Sequence, residues 1–327
     1  MSLNNNVGNL EKIATLIVIL SVWTCLFSVM TMRSSTRMTI ASHVVRKSAE
    51  DEFWLNADKS QAWYGVDLTV IPEEVQAKFI QMFEDDETKE FIKNSVDQSD
   101  SWLVQGWYNL AKTVMSLFRM SQTDMNGYLN RGSMFVLSRE QFRLLLGHGG
   151  QVHVQRDSQA MIDLGAGDGK VTEKLRHSYN QVFATEVSPP MRSLLKAKNI
   201  SVLPIESWMD QEYDLISCLN LLDRCDNPLD IIRDMHKSLR PDGLLLVALV
   251  LPFKPYVESR KSREPRQALP IVGDTFEHQI SSVVTLFQSS GFSLRSWTRV
   301  PYLCEGDLEH SVYILDDAVF LFNKVQP

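Results

Sequence analysis

Apolar and polar positions change their period several times along the chain. Residues 13–30, IATLIVILSVWTCLFSVM, contain no charge. Eighteen such residues lie at the lower edge of what spans a bilayer as a helix. An uncleaved anchor is the expectation and a cleaved signal peptide the alternative, because no small-x-small cleavage site follows. Arg33, Arg37, Arg46 and Lys47 lie downstream of the segment and only Lys12 upstream. That asymmetry places the main body on the cytosolic side. Further on, the pattern turns helical. Pro72 opens a predicted helix running to about Asn94, with Val75, Phe79, Met82 and Phe83 on one side. A second covers 101–120, where Leu103, Trp107, Leu110, Val114, Leu117 and Phe118 recur; Gln105, Asn109 and Lys112 argue against a membrane span. Ser138-Arg-Glu-Gln141 reads as a capping box for a helix that stops near Gly147, followed by a polar, glycine-rich connector at 147–158.

From residue 160 short apolar runs alternate with helical stretches. Ala160–Ile162, Val182–Thr185, Ile200–Leu203 and Tyr213–Leu219 read as strands, and Leu244–Leu251 is apolar enough to be buried on both faces. Helices are predicted after the first strand, at 189–198 and at 228–239. Phe292–Thr298 and Tyr313–Asn323 read as a closing antiparallel pair, with Pro301–Asp307 as the loop between them. Alternating βα units of this kind predict an α/β, doubly wound, mostly parallel sheet.

Composition sharpens the exclusions. With 327 residues, 44% of them hydrophobic, the chain can bury a large core, and a net charge of −7 argues against a general nucleic-acid binder. Cys25, Cys218, Cys225 and Cys304 are too scattered for a disulfide scaffold, and the seven histidines show no metal-ligand spacing, so no metal is expected. Residues 1–49 carry five bases against one acid, and residues 50–100 fourteen acids against four bases. The acidic stretch reads as a solvated helix face, or as a docking surface for basic or histidine-rich partners.

The candidate chemistry centres on Asp163-Leu-Gly165-Ala-Gly167-Asp168-Gly169. A dinucleotide fingerprint needs its third glycine one residue later, and Asp163 and Asp168 would repel a diphosphate. They suit a cationic ligand bearing an amino group and a sulfonium, which is S-adenosylmethionine. Glu186, at the tip of the next strand, offers two acceptor oxygens for ribose hydroxyls. Glu206 and Trp208 stand where adenine contacts are expected, with Trp208 equally a core residue. Asn220 and Asp223 follow the fourth strand, outside its carboxyl end, where the transferred methyl would lie.

Taken together, DLGAGDG (163–169), ATEVS (184–188), ISCLNLLDRCD (216–226), ALVLPFKPYVE (248–258), PYLCEGD (301–307), YILDDAVF (313–320) and NRGSMFVLS (130–138) resemble the DREV-type protein-histidine methyltransferases. The resemblance begins near Trp102. It implies a Rossmann-like class I methyltransferase with seven strands, the last antiparallel, S-adenosylmethionine as donor, and the pros nitrogen of histidine in His-x-His motifs of proteins as acceptor. It carries cofactor contacts onto the Gly165–Gly169 loop, Glu186, Asn220 and Tyr302, and the acid of its NLLD segment onto Asp223. Asp223 is the candidate acceptor of the ring's Nτ–H, with Asn220 and Tyr302 aligning cofactor and ring. Arg131 is a candidate partner for the cofactor carboxylate, or a structural ion pair. Glu305, Asp307, Asp316 and Asp317 are candidates for a second-histidine subsite, or ordinary loop acids. The expected organisation is an anchor or signal segment at 1–32, an acidic helical region at 33–100, a helical extension at 101–158 and a monomeric catalytic domain at 159–327. The expected location is the endoplasmic reticulum or another endomembrane, with the mitochondrion as alternative. Competing functions are methyl transfer to another acceptor, such as a small amine, and a non-catalytic adaptor.

Overall fold

The computed structural model describes residues 47–100, 121–147, 159–258, 262–307 and 309–325. The apolar segment 13–30, the helix expected at 101–120 and, apart from Gly147, the connector expected at 147–158 lie outside them. Among the described residues no helix is long and apolar enough to cross a membrane. The chain divides into two units, Met1–Phe53 and Trp54–Pro327. Residues 47–53 of the first are helical; the second holds every element that follows.

Upstream of the main sheet come α1 (Ser60–Tyr64), α2 (Glu73–Gln76), α3 (Asp86–Asp100), α4 (Gln122–Leu129), β1 (Met134–Phe135) and α5 (Arg139–Gly147). The single helix expected from Pro72 to Asn94 is therefore two helices. Between them the chain runs beside residue 297: Ile80 N–H donates to the Trp297 carbonyl at 2.8 Å, and Trp297 N–H donates to that of Lys78 at 3.0 Å. Phe79 packs on the Trp297 ring, 4.8 Å between centroids. Asp85 then restarts the helix by accepting from Thr88 N–H and Oγ1 at 3.0 and 2.8 Å, a cap hidden by apolar spacing that continues across it. The capping box at Ser138 forms as read: Gln141 N–H donates to Ser138 Oγ, and Ser138 N–H to Gln141 Oε1, both at 3.0 Å. Of the acidic helical region expected at 33–100, the part from Trp54 onward groups with the sheet in one compact unit. Trp297 Nε1 donates to the Val75 carbonyl at 2.8 Å and Arg299 to that of Gly65 at 2.6 Å. These bonds satisfy polar atoms that burial would otherwise strand.

The sheet contains β2 (Ala160–Leu164), α6 (Lys170–Leu175), β3 (Gln181–Thr185), α7 (Pro189–Ala197), β4 (Ser201–Val202), β5 (Tyr213–Leu219), α8 (Pro228–Ser238) and β6 (Leu239–Val250), then α9 (Phe276–Ser289), β7 (Phe292–Glu305) and β8 (Val312–Lys324). Its order is β1-β7-β8-β6-β5-β2-β3-β4. Strands β4, β3, β2, β5 and β6 pair in parallel. β8 is inserted antiparallel between β6 and β7, and β1 adds an eighth strand to the seven expected. Residues 318–322 of β8 are all 0% exposed, as a strand covered on both faces requires. The closing hairpin is longer than the sequence suggested: Pro301–Glu305 is strand, paired with Val312–Asp316, not loop. α9 covers this region through Ile280, Val283 and Phe287, all fully buried.

β2 lies between β3 and β5, so the chain winds outward to β4 and then returns across β2. Ligands of open α/β sheets bind outside the strand ends at such a reversal. The glycine loop after β2 and Asn220 after β5 flank it.

Candidate active site

Gly165, Gly167 and Gly169 all take left-handed conformations, with φ of 72°, 56° and 77°. At Gly169 a Cβ would lie 2.7 Å from Leu195 Cδ2, whereas at Gly167 it would meet nothing within 4 Å. Gly169 lets the start of α6 pack closely on α7, and Gly167 leaves the loop open on one side. The N–H groups of Gly165 and Ala166 donate to the Thr185 carbonyl at 3.0 and 3.1 Å, fastening the loop to the end of β3. Glu186 follows directly and is 8% exposed. Its Oε2 accepts from Gly167 N–H at 2.9 Å and its Oε1 from Ser188 N–H at 2.8 Å. Each oxygen keeps capacity for a further donor.

Asp163 does not face the cleft as the sequence suggested. It is 3% exposed, and it accepts from Ser217 Oγ at 2.7 Å on one oxygen and from Thr172 Oγ1 at 2.6 Å on the other. Burial pushes its pKa up to about 6; the two hydroxyls hold it down and the Glu186 charge adds a further push upward. Through these bonds it ties β2 to β5 and α6 beneath the loop. Asp168 remains at the loop and is shared. Its Oδ2 accepts from Ser133 Oγ at 3.1 Å and lies 3.7 Å from Lys170 Nζ, while Lys170 also bonds Ser133. Ser133 was missed in the sequence, where the only signal was its neighbourhood in NRGS.

The opposite wall is built from β5, β7 and β8. Asn220 takes φ 54° directly after β5, and its N–H donates to the Ala248 carbonyl at 3.0 Å. Its Nδ2 donates to Asp317 Oδ2 at 2.8 Å. Asp223 is 4% exposed. Arg224 Nε lies 3.2 Å from its Oδ2. Burial raises the Asp223 pKa, with Arg224 opposing. Tyr302 sits within β7, 7% exposed, and its hydroxyl donates to Met134 Sδ at 2.5 Å. Burial raises the Tyr302 pKa first, with Cys304, Asp317 and Asp223 adding to it. Among the described residues, Asn220 Oδ1, Asp223 Oδ1 and Asp317 Oδ1 are buried without a hydrogen-bond partner.

The other candidates are engaged elsewhere. Glu305 lies 3.4 Å from Arg131 Nε and accepts from the N–H groups of Gly132 and Ser133 at 2.9 and 3.1 Å. Arg131 also donates to the Gly306 carbonyl at 2.9 Å, so this is a structural ion pair that braces the upstream loop. Asp307 accepts from Glu309 N–H and Tyr313 Oη at 2.9 and 3.2 Å, and Asp316 is 2.6 Å from Arg299. Asp316 and Asp317 are strand residues, and only Asp317 reaches the cleft wall. Trp208 is a core residue and Glu206 is exposed.

The donor set fits S-adenosylmethionine. The loop is open at Gly167, a carboxylate stands at the end of β3, and the unpartnered oxygens of Asn220 and Asp223 on the far wall are acceptors, which suits a ligand carrying cations and N–H or O–H donors. Strand order, reversal point and acceptor-lined cleft define a class I, S-adenosylmethionine-dependent methyltransferase. The chain belongs to the DREV methyltransferase family, whose model matches residues 63–324. That match starts well upstream of Trp102, in the region already seen to pack on the sheet. Solved structures of similar layout include the CcbJ methyltransferase of Streptomyces caelestis, 15% identical, covering 52% of this chain and 85% of that one, TM-score 0.34. The N-methyltransferase NodS of Bradyrhizobium japonicum, in complex with S-adenosyl-L-homocysteine, is 16% identical over 51% of this chain and 79% of that one, TM-score 0.37. Magnesium protoporphyrin IX methyltransferase of Synechocystis, with bound S-adenosylmethionine, is 13% identical over 51% and 70%, TM-score 0.34.

Proposed function

We infer that the chain methylates the pros nitrogen of histidine in His-x-His segments of proteins. The observation that carries this is Asp223: a buried carboxylate with one oxygen held by Arg224 and the other unpartnered, at the end of β5 across from the glycine loop. S-adenosylmethionine, when bound, supplies an electrophilic methyl on a sulfonium. Imidazole is nucleophilic when neutral, the dominant form at neutral pH given a reference pKa of about 6.5, so no strong base is needed. Regiochemistry is the harder task. A ring that presents its pros lone pair carries its proton on Nτ, and Asp223 Oδ1 is an acceptor with nothing else to bind. A carboxylate there selects that tautomer and stabilises the cation that develops on the ring. Asn220 and Tyr302 border the same space and align the ring with the loop, which is the in-line positioning the displacement requires. The residues of the glycine loop and Glu186 hold the donor.

The test uses labelled S-adenosylmethionine with His-x-His and Ala-x-His peptides. The His-x-His peptide takes up label at the pros position. Replacing Asp223→Ala lowers kcat by about 10²-fold or more, the usual cost of removing one group from a preorganised charge site, while cofactor affinity stays within about threefold. Normal turnover by Asp223→Ala would remove that residue from the chemistry. Label on another acceptor and none on histidine would overturn the substrate.

A further inference from the structure

Asp317 is the acid of the pocket that the reaction as described leaves unused. It pairs across the sheet with Val250 of β6 and Val300 of β7 and is 0% exposed. Asn220 Nδ2 donates to its Oδ2 at 2.8 Å, and its Oδ1 is buried without a partner. A carboxylate in a sheet interior with one neutral donor is poorly compensated for its lost hydration. The titratable groups coupled to it are Asp223 from the turn after β5, Tyr302 and Cys304 from β7, and its strand neighbour Asp316, while Arg224 acts on Asp223, Tyr302 and Cys304. Arg224 is the cation of that set, and it is engaged by Asp223 at 3.2 Å; Asp316 is held by Arg299 at 2.6 Å. Two carboxylates sharing a low-dielectric site do not both ionise. The one beside a guanidinium takes the charge, and the other keeps its proton. Burial, together with the Asp223 and Asp316 charges, raises the Asp317 pKa against the Asn220 bond.

We propose that Asp317 is a positioning residue for methyl transfer that works as a neutral acid. Its carbonyl oxygen holds the Asn220 amide so that Asn220 Oδ1 is presented to the cleft, and its lack of charge leaves Asp223 as the single anion beside the reacting ring. The inference rests on Asp223 being the acid that meets that ring. Asparagine mimics the neutral acid, since its own Oδ1 accepts from Asn220 Nδ2; leucine does not.

Two measurements on the full chain test it. Infrared spectroscopy at pH 8 shows a protonated-carboxyl C=O band that disappears in Asp317→Asn; no such band in the wild type would overturn the neutral state. Steady-state methylation of a His-x-His peptide then separates the variants. Asp317→Asn keeps kcat within about threefold of wild type, and Asp317→Leu loses about 30-fold in kcat, with cofactor Kd and peptide KM within about threefold in both. An Asp317→Asn loss as large as that of Asp317→Leu, or full activity in Asp317→Leu, would overturn the positioning role. If the wild type does not methylate the peptide, the histidine reading fails, and the infrared band still decides the state of Asp317. If Asp317→Leu does not fold, the band and Asp317→Asn remain decisive.

Discussion

Asp163 and Asp317 are both buried in the same sheet, and both have raised pKa values. Asp163 has a hydroxyl on each oxygen. Asp317 has one amide on one oxygen and nothing on the other. A buried acid with all its acceptors filled joins elements of the scaffold. One left half-filled, next to a second half-filled acid, marks a place where something else must bind. The contrast sorts the molecule into a finished half, around β2 and α6, and an unfinished wall at the ends of β5 and β8.

The finished half is open to direct attack. Asp163→Ala strands two buried hydroxyls and is expected to cost roughly 2–4 kcal/mol in urea unfolding; a change near zero would make Asp163 no different in kind from Asp317. Titration gives a second, somewhat smaller effect. The Asp163 pKa is raised from 3.8 to about 6 on folding, so the folded state binds the proton more tightly. Its contribution to stability is fully present below about pH 4 and is lost as pH rises through about 6, a swing of roughly 3 kcal/mol at most. The difference between wild type and Asp163→Asn across that window isolates it. The mildest probe is Ser217→Ala, which turns Asp163 into a half-filled acid. It is expected to cost about 1–2 kcal/mol and to push the Asp163 pKa further up, read from the same pH series. An unchanged pKa would mean that Ser217 does not hold the carboxyl.

The sequence made much of the finished half legible because its signals are local. The apolar run into Asp163, the glycines and the acid at the tip of the next strand fall within one βαβ unit, in a recognisable order along the chain. The unfinished wall depends on pairing across long separations. Asp316 and Asp317 are adjacent acids of equal appearance; strand alternation sends one out to Arg299 and the other in to Asn220. Only the insertion of β8 between β6 and β7 brings Asp317 to Asn220, and no short-range pattern announces that insertion. Tyr302 was found through the resemblance, but its place in a strand was hidden because PYLCEGD reads as a loop. The helix from Pro72 to Asn94 failed for a related reason: the partner that opens it, Trp297, lies far along the chain. Asp163 was read for its charge, and burial reversed the direction in which that charge points.

The Arg131–Glu305 pair and the Ser133–Asp168 bond have a practical corollary. A fragment cut to begin at residue 159 would retain every glycine of the loop, yet it would leave Glu305 without its guanidinium and Asp168 without its hydroxyl. It would also expose the face of Trp297 now covered from Val75 and Phe79. The smallest piece worth expressing therefore starts near Trp54, and a library of shorter versions would report on broken edges, not on catalysis.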